Sequence, residues 1–154
     1  MIGRLEEIES ALMDIKKTLK KEAINIIKND KGVYLDLNRD QMSKGLNRTD
    51  TPIGRLKSPA YASRKKSKGG KAPFGSVDLK DRRDYYDSLK KVVTSKFVEV
   101  KSTDRDKVKV DGIKAKYGEF HLNLSEENQS KYSSVVIKPQ LIESLKLKLK
   151  INGL

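Results

Sequence analysis

Cysteine and tryptophan are both missing from this chain of 154 residues. Without cysteine there is no disulfide, no thiolate nucleophile and no thiolate metal site. The single histidine, His121, lies in an alternating apolar segment. With no cysteine to activate and no recognisable nucleophile motif elsewhere, it is expected to be structural or on the surface. Long apolar runs are absent too, so no segment is expected to cross a membrane. The mixed-charge start, Met1–Glu9, has no apolar core of the kind a signal peptide needs.

The motifs that carry phosphate or metal chemistry are also lacking. Gly69-Gly70-Lys71 has neither the glycine four residues earlier nor the Ser/Thr after the lysine that a phosphate-binding loop requires. Asp104, Asp106 and Asp111 do not follow calcium-loop spacing, and Arg105, Lys107 and Lys109 alternate with them. A solvated turn is expected there. Asp78, Asp81, Asp84 and Asp87 recur every third residue with cations beside them at Lys80, Arg82 and Arg83. That pattern suits a surface ion-pair face better than a carboxylate dyad. The chain is therefore expected not to be an enzyme, and no cofactor or metal is expected.

Positive charge is plentiful. Lys and Arg number 34 against 21 Asp and Glu, a formal net charge of +13. It is unevenly spread: ten cations against nine anions over residues 1–50, thirteen against five over 51–100, and eleven against seven over 101–154. A field of this kind attracts polyanions or acidic proteins. Apolar residues make up 36% of the chain and charged residues another 36%, where ordinary domains have ~45–50% and ~25%. Such a chain builds a small core and leaves burial to be completed by arms or partner subunits.

The expected fold class is α+β, with a long N-terminal helix, an extended loop-rich middle and a small antiparallel sheet with one or two helices. Three regions are expected: an amphipathic helix over 1–31, an extended loop or arm over 32–76, and a small α+β core over 77–154. Leu5, Ile8, Leu12, Ile15 and Leu19 are spaced three, four, three and four apart, forming one stripe of a helix over about 2–28. The stripe has two uses: packing on the protein's own sheet, or packing between subunits. Gly32–Leu37 reads as a short strand, and 38–76 as an irregular stretch rich in glycine and proline. Within it, Arg64, Lys65, Lys66, Lys68 and Lys71 place five cations in eight residues. They read as a solvated basic loop or as a contact for a polyanion or partner. A helix is expected around 81–91, and a hairpin joining Phe97–Lys101 to Val108–Val110 through Ser102–Asp106. Ile113–Leu124 is expected to start helical and end extended. Val135–Ile137 reads as a strand and Pro139 as the start of a final helix, although Leu145–Ile151 also alternates as a strand would.

The order of several short segments resembles a family of small virion structural proteins of tailed phages, including the crAss-like group. The matching segments are Leu35-Asp36-Leu37-Asn38, Gln41-Met42-Ser43-Lys44-Gly45, and Tyr61 ahead of the lysine-rich run. Then come Val77-Asp78-Leu79-Lys80-Asp81 and Asp84-Tyr85-Tyr86-Asp87-Ser88. The last are Tyr117-Gly118 with Leu122 and Leu124, Ser125-Glu126-Glu127-Asn128, and Ile137-Lys138-Pro139-Gln140-Leu141. The resemblance covers roughly residues 33–145 and extends to tail-completion and head–tail-joining proteins. One departure is Arg82-Arg83, where the family carries a threonine–glycine turn; glycine permits backbone angles that arginine avoids. The resemblance implies a non-enzymatic neck, connector or tail component. It would form a homo-oligomeric ring beside portal, neck or tail proteins, with incidental contact to packaged DNA, in a virion built from protein made in the host cytoplasm. It brings no catalytic residues. Charge alone supports a different function, sequence-nonspecific nucleic-acid binding.

Overall fold

A computed structural model describes residues 2–80, 84–103, 107–118 and 121–151. The fold is α+β, with a long N-terminal helix and one two-stranded sheet. Helix α1 spans Ile2–Asn29, α2 Val33–Ser43, α3 Pro59–Ser67 and the single turn α4 Asp84–Asp87. Strands β1 (Leu89–Val93) and β2 (Val98–Ser102) form the hairpin. Helices α5 (Lys107–Tyr117), α6 (Glu126–Tyr132) and α7 (Lys138–Ile151) complete the order, with a π-helical turn at Ser133–Ile137.

The chain divides into two compact units. The first comprises residues 1–31, 93–97 and 133–154, and the second comprises 32–92 and 98–132.

In the first unit, the last third of α1 packs on the π-helical turn and α7. Ile26 is buried there, and the Ser144 hydroxyl donates to the Glu22 carboxylate at 2.6 Å. Val135–Ile137 is not a strand. Pro139 has no amide hydrogen, and its ring crowds the carbonyl four residues earlier. The wider π turn just before it accommodates both faults. Leu145–Ile151 is helical despite its alternation, as part of α7.

The second unit holds most of the core. Met42, Val77, Tyr85, Tyr86, Leu89, Val100, Leu124 and Tyr132 are buried in it. Gly32–Leu37, expected as a strand, instead opens α2. The buried face of that helix is Tyr34, Asn38, Gln41 and Met42, a helical spacing whose middle members are polar. Those polar members are the ties to the rest of the unit. The Asn38 amide donates to the carbonyls of His121 (3.3 Å) and Asn123 (2.8 Å). The Gln41 amide donates to the Asn123 carbonyl at 3.3 Å, and its oxygen accepts from the Ser125 N–H and the Asn128 amide, both at 2.9 Å. Asn123, with φ 73°, turns its side-chain oxygen to the Val100 N–H of β2 at 2.7 Å. Tyr34 meets Tyr132 of α6 edge-on, with centroids 5.2 Å apart.

The hairpin differs from expectation. The partner of β2 is β1, which precedes it, and the turn is Thr94–Phe97, where the Thr94 hydroxyl accepts from the N–H groups of Lys96 and Phe97. Val108 and Val110 lie in α5, not in a strand. Of the helix expected around 81–91, residues 84–87 are helical, 89–91 belong to β1, and 81–83 lie outside the described residues. Tyr117 ends α5 and Gly118, with φ 66°, closes it by donating to the Lys114 carbonyl.

Candidate functional site: a basic cleft around α3

The region read as irregular contains a well-capped helix. Ser58 is the N-cap of α3, accepting from the Tyr61 N–H at 3.3 Å, and Pro59 occupies the first helical position. At the other end, Gly69 N–H donates to the Lys66 carbonyl and Gly70 N–H to the Lys65 carbonyl, with Gly69 at φ 78°. This is the paired closure of a Schellman motif. The Gly69-Gly70 pair is thus a helix stop. The chain either side of α3 is joined at its base: Leu56 N–H donates to Gly75 O, Val77 N–H to Gly54 O, and Arg55 bridges to Ser76.

On this platform, a cleft of about 280 Å³ is lined by Arg64, Lys65, Lys68, Lys71 and Lys80, with Tyr61 and Asp78. Four of the five cations singled out in the sequence are therefore brought together. The fifth, Lys66, turns away, its ammonium donating to the Gly70 carbonyl at 3.3 Å. Lys80 belongs to the cleft although it lies nine residues beyond the run; no local pattern in the sequence marks it.

The cations are not equivalent. Lys65 is ion-paired with the buried Asp78, whose carboxylate also accepts the Lys80 N–H at 3.0 Å. Lys71 pairs with Asp40 at 3.1 Å, and Asp40 also meets Lys44 at 2.7 Å. The hydrogen bond from Lys44 holds the Asp40 carboxyl below the ordinary carboxylate range, with Lys71 adding to it. The guanidinium of Arg64 stands 5.1 Å from the Tyr61 ring centroid and Lys65 Nζ 5.7 Å from it. Arg64, Lys68 and Lys80 have no ion-pair partner among the described residues. Part of this basicity also suits the C-terminal end of α3, where cations complement the helix dipole.

Next to the cleft, and sharing Tyr61 and Lys65 with it, runs a more apolar groove of about 400 Å³. Leu56, Val77, Leu79, Ile113 and Tyr117 line it, and Lys57 and Lys116 add charge. Gly54 is needed beneath Tyr117: a Cβ there would come within 3.0 Å of the ring.

The second set of residues singled out in the sequence is the α1 stripe. Its first four members are open to solvent, at 64% for Leu5, 51% for Ile8, 60% for Leu12 and 54% for Ile15, while Leu19 is half-buried. Within their own unit these four side chains are left uncovered. The uncovered apolar surface is concentrated in the first unit, where Val135, Ile142, Leu145 and Leu147 are also exposed.

His121 is buried, with its Nε2 2.5 Å from the Tyr85 hydroxyl. Asp111 is exposed, while Asp104 and Asp106 lie outside the described residues. Among the described residues, no group of three or more His, Asp or Glu side chains is placed to hold a metal ion, and no helix is long and apolar enough to cross a membrane. The chemistry offered by the cleft is anion recognition by fixed positive charge.

No family model matches the sequence, and no match was found among curated proteins or solved structures.

Proposed function

We propose that this chain is a structural subunit of a tailed-phage virion. In this reading it sits at the neck, connector or tail, in the manner of a tail-completion or head–tail-joining protein, and works as a homo-oligomeric ring beside portal, neck or tail proteins. The observation that carries the reading is the uncovered stripe of α1. Four large aliphatic side chains lie more than half exposed on one helix face, and contiguous apolar surface of this kind marks a site of association. The segment order over residues 33–145 adds the virion context. The test is imaging of purified particles with subunits located by a label fused to this chain. Rotationally repeated copies at the neck or tail support the reading; isolated copies, or none in the particle, would overturn it.

The basic cleft favours a second reading, nonspecific binding to nucleic acid. Its measurement is the affinity for duplex and single-stranded DNA across a salt series. If Arg64, Lys68 and Lys80 each neutralise a phosphate, log K against log salt falls with a slope of about −3. Weak binding without that slope leaves the cleft to an acidic protein surface.

A further inference from the structure

The aliphatic stripe of α1 is flanked along one edge by two exposed charges of opposite sign. At about 3.6 residues per turn, Glu9 and Lys16 both fall within about 80° of the stripe's centre, on the same side of it. They are seven residues apart and so hold equivalent places along the stripe. Glu6, Glu7 and Asp14 lie about 120° or more from that centre, away from anything packed on the stripe. We infer that α1 of one copy packs along α1 of a second copy, antiparallel and about a two-fold axis, with Leu12 against the partner's Ile15. In that register Ile8 meets the partner's Leu19, so the seam has four aliphatic layers. Glu9 then comes beside the partner's Lys16, and Lys16 beside the partner's Glu9. Sliding one helix by a heptad in either direction sets like charges together, Glu9 on Glu9 or Lys16 on Lys16.

The far end of the helix decides the direction. The stripe continues to Ile26, which is buried where α1 packs on the protein's own π turn and α7. Two parallel helices would bring both α7 helices to the same end of the seam. Antiparallel helices place them at opposite ends, each beside the partner's first turns. There a groove of about 440 Å³ is lined by Glu22, Ile26, Gln140, Glu143, Ser144 and Leu147. Leu5, 64% exposed, is the side chain that comes level with the partner's Glu22 in this register. Residues 5–15 carry four acids and no cation, and residues 16–28 five lysines against Glu22. This polarity adds a weaker, salt-screened preference for the same direction. The pairing rests on the reading of the α1 stripe as an association surface and names its occupant. A two-fold contact closes on two copies, so a ring is built from such pairs through other surfaces.

The test uses full-length proteins carrying Glu9→Lys, Lys16→Glu or both, each checked for folding by thermal unfolding. Sedimentation velocity reads their association. Each single variant is expected to self-associate about tenfold more weakly than the unmodified chain, because both flanking pairs become repulsions. The equimolar mixture of the two, and the double variant alone, are expected to regain the unmodified affinity, since each again sets opposite charges together. Direction is read by double electron–electron resonance between spin labels on Asp14→Cys and, separately, on Lys21→Cys; the chain has no other cysteine. Residues 14 and 21 hold the same place in the heptad, so a parallel pair gives equal label separations. In the antiparallel pair the two copies of residue 14 are nearly level. The two copies of residue 21 are offset along the axis by about 22 Å, at about 1.5 Å per residue, so their labels are the farther apart. Three outcomes overturn the pairing and leave the stripe an association surface: Lys16→Glu assembling like the unmodified chain, a mixture that fails to recover, or equal label separations. An unmodified chain that stays monomeric overturns the association reading itself, and its own control run distinguishes that result from the other three.

Discussion

Gln41→Met is the sharpest probe of how the second unit holds together. The side chains are close in volume and the position is 2% exposed, so the substitution leaves the packing nearly intact and removes only polar contacts. Three hydrogen bonds go. The Asn123 carbonyl keeps its bond from Asn38 at 2.8 Å, and Asn128 is partly exposed and reaches water. The Ser125 N–H is left in a fully buried residue with no acceptor. One orphaned buried donor costs ~1–3 kcal/mol, and the two other lost bonds ~0.5–1.5 kcal/mol each before water compensates. The expected loss is therefore about 2–4 kcal/mol, or a fall in Tm of roughly 5–15 °C for a chain of this size. Urea titration followed by far-UV circular dichroism measures it, provided that protein concentration is held fixed, because association contributes to apparent stability. A change below about 0.5 kcal/mol would refute the claim that polar ties, rather than the apolar face of α2, fix this helix.

Two further predictions follow from backbone geometry and pH. Gly45→Ala and Gly69→Ala both place a side chain at φ 78°, but a Cβ at Gly45 would lie 3.1 Å from the Val77 carbonyl while one at Gly69 meets nothing within 4 Å. The Gly69 change should cost ~1 kcal/mol and the Gly45 change clearly more, ~2–3 kcal/mol; equal losses in thermal unfolding would show that the Gly45 contact relaxes. The folded-state pKa of Asp40 is depressed, so its contribution to stability is present above its ordinary value of 3.8 and is lost as pH falls through the lower folded value. Asp40 is partly exposed, which keeps the contribution below about 1 kcal/mol. Asp40→Asn should flatten the stability profile below pH ~4 and remove little at neutral pH; an unchanged acid limb in urea titrations at stepped pH would contradict the assignment.

The legibility of this fold in its sequence followed the kind of signal each element carries. Helix α1 announces itself through aliphatic periodicity, and the expected 2–28 is close to the observed Ile2–Asn29. Strand β2 alternates cleanly and lies within one residue of its expected place. Helix α2 was hidden because Asn38 and Gln41 occupy its buried face, so a search for apolar period finds nothing. Helix α3 was legible in its punctuation, Ser58-Pro59 at the start and Gly69 at the end, but the density of lysine and glycine masked it. The partner of β2 was misplaced because Val108-Lys109-Val110 alternates over only three residues, too few to separate strand from helix. Val135–Ile137 misled for a different reason: β-branched residues favour strands, and Pro139 was read as the start of a helix, whereas helical turns run straight up to it. For the candidate site, the cationic run located most of the cleft, whereas Lys80 and the adjoining apolar groove arise only when residues 54–57, 77–80 and 113–117 are folded together.

The central claim, that the open face of α1 is an assembly interface, is tested most directly by sedimentation equilibrium of the full chain beside Leu12→Asp. Leu12 is 60% exposed in the isolated chain, so the substitution should leave monomer folding unchanged while removing ~2 kcal/mol of apolar burial from each subunit contact and placing a charge there. The account predicts a discrete homo-oligomer for the unmodified chain and a monomer for Leu12→Asp at the same concentration. A monomer for both, or the same oligomer for both, would contradict it.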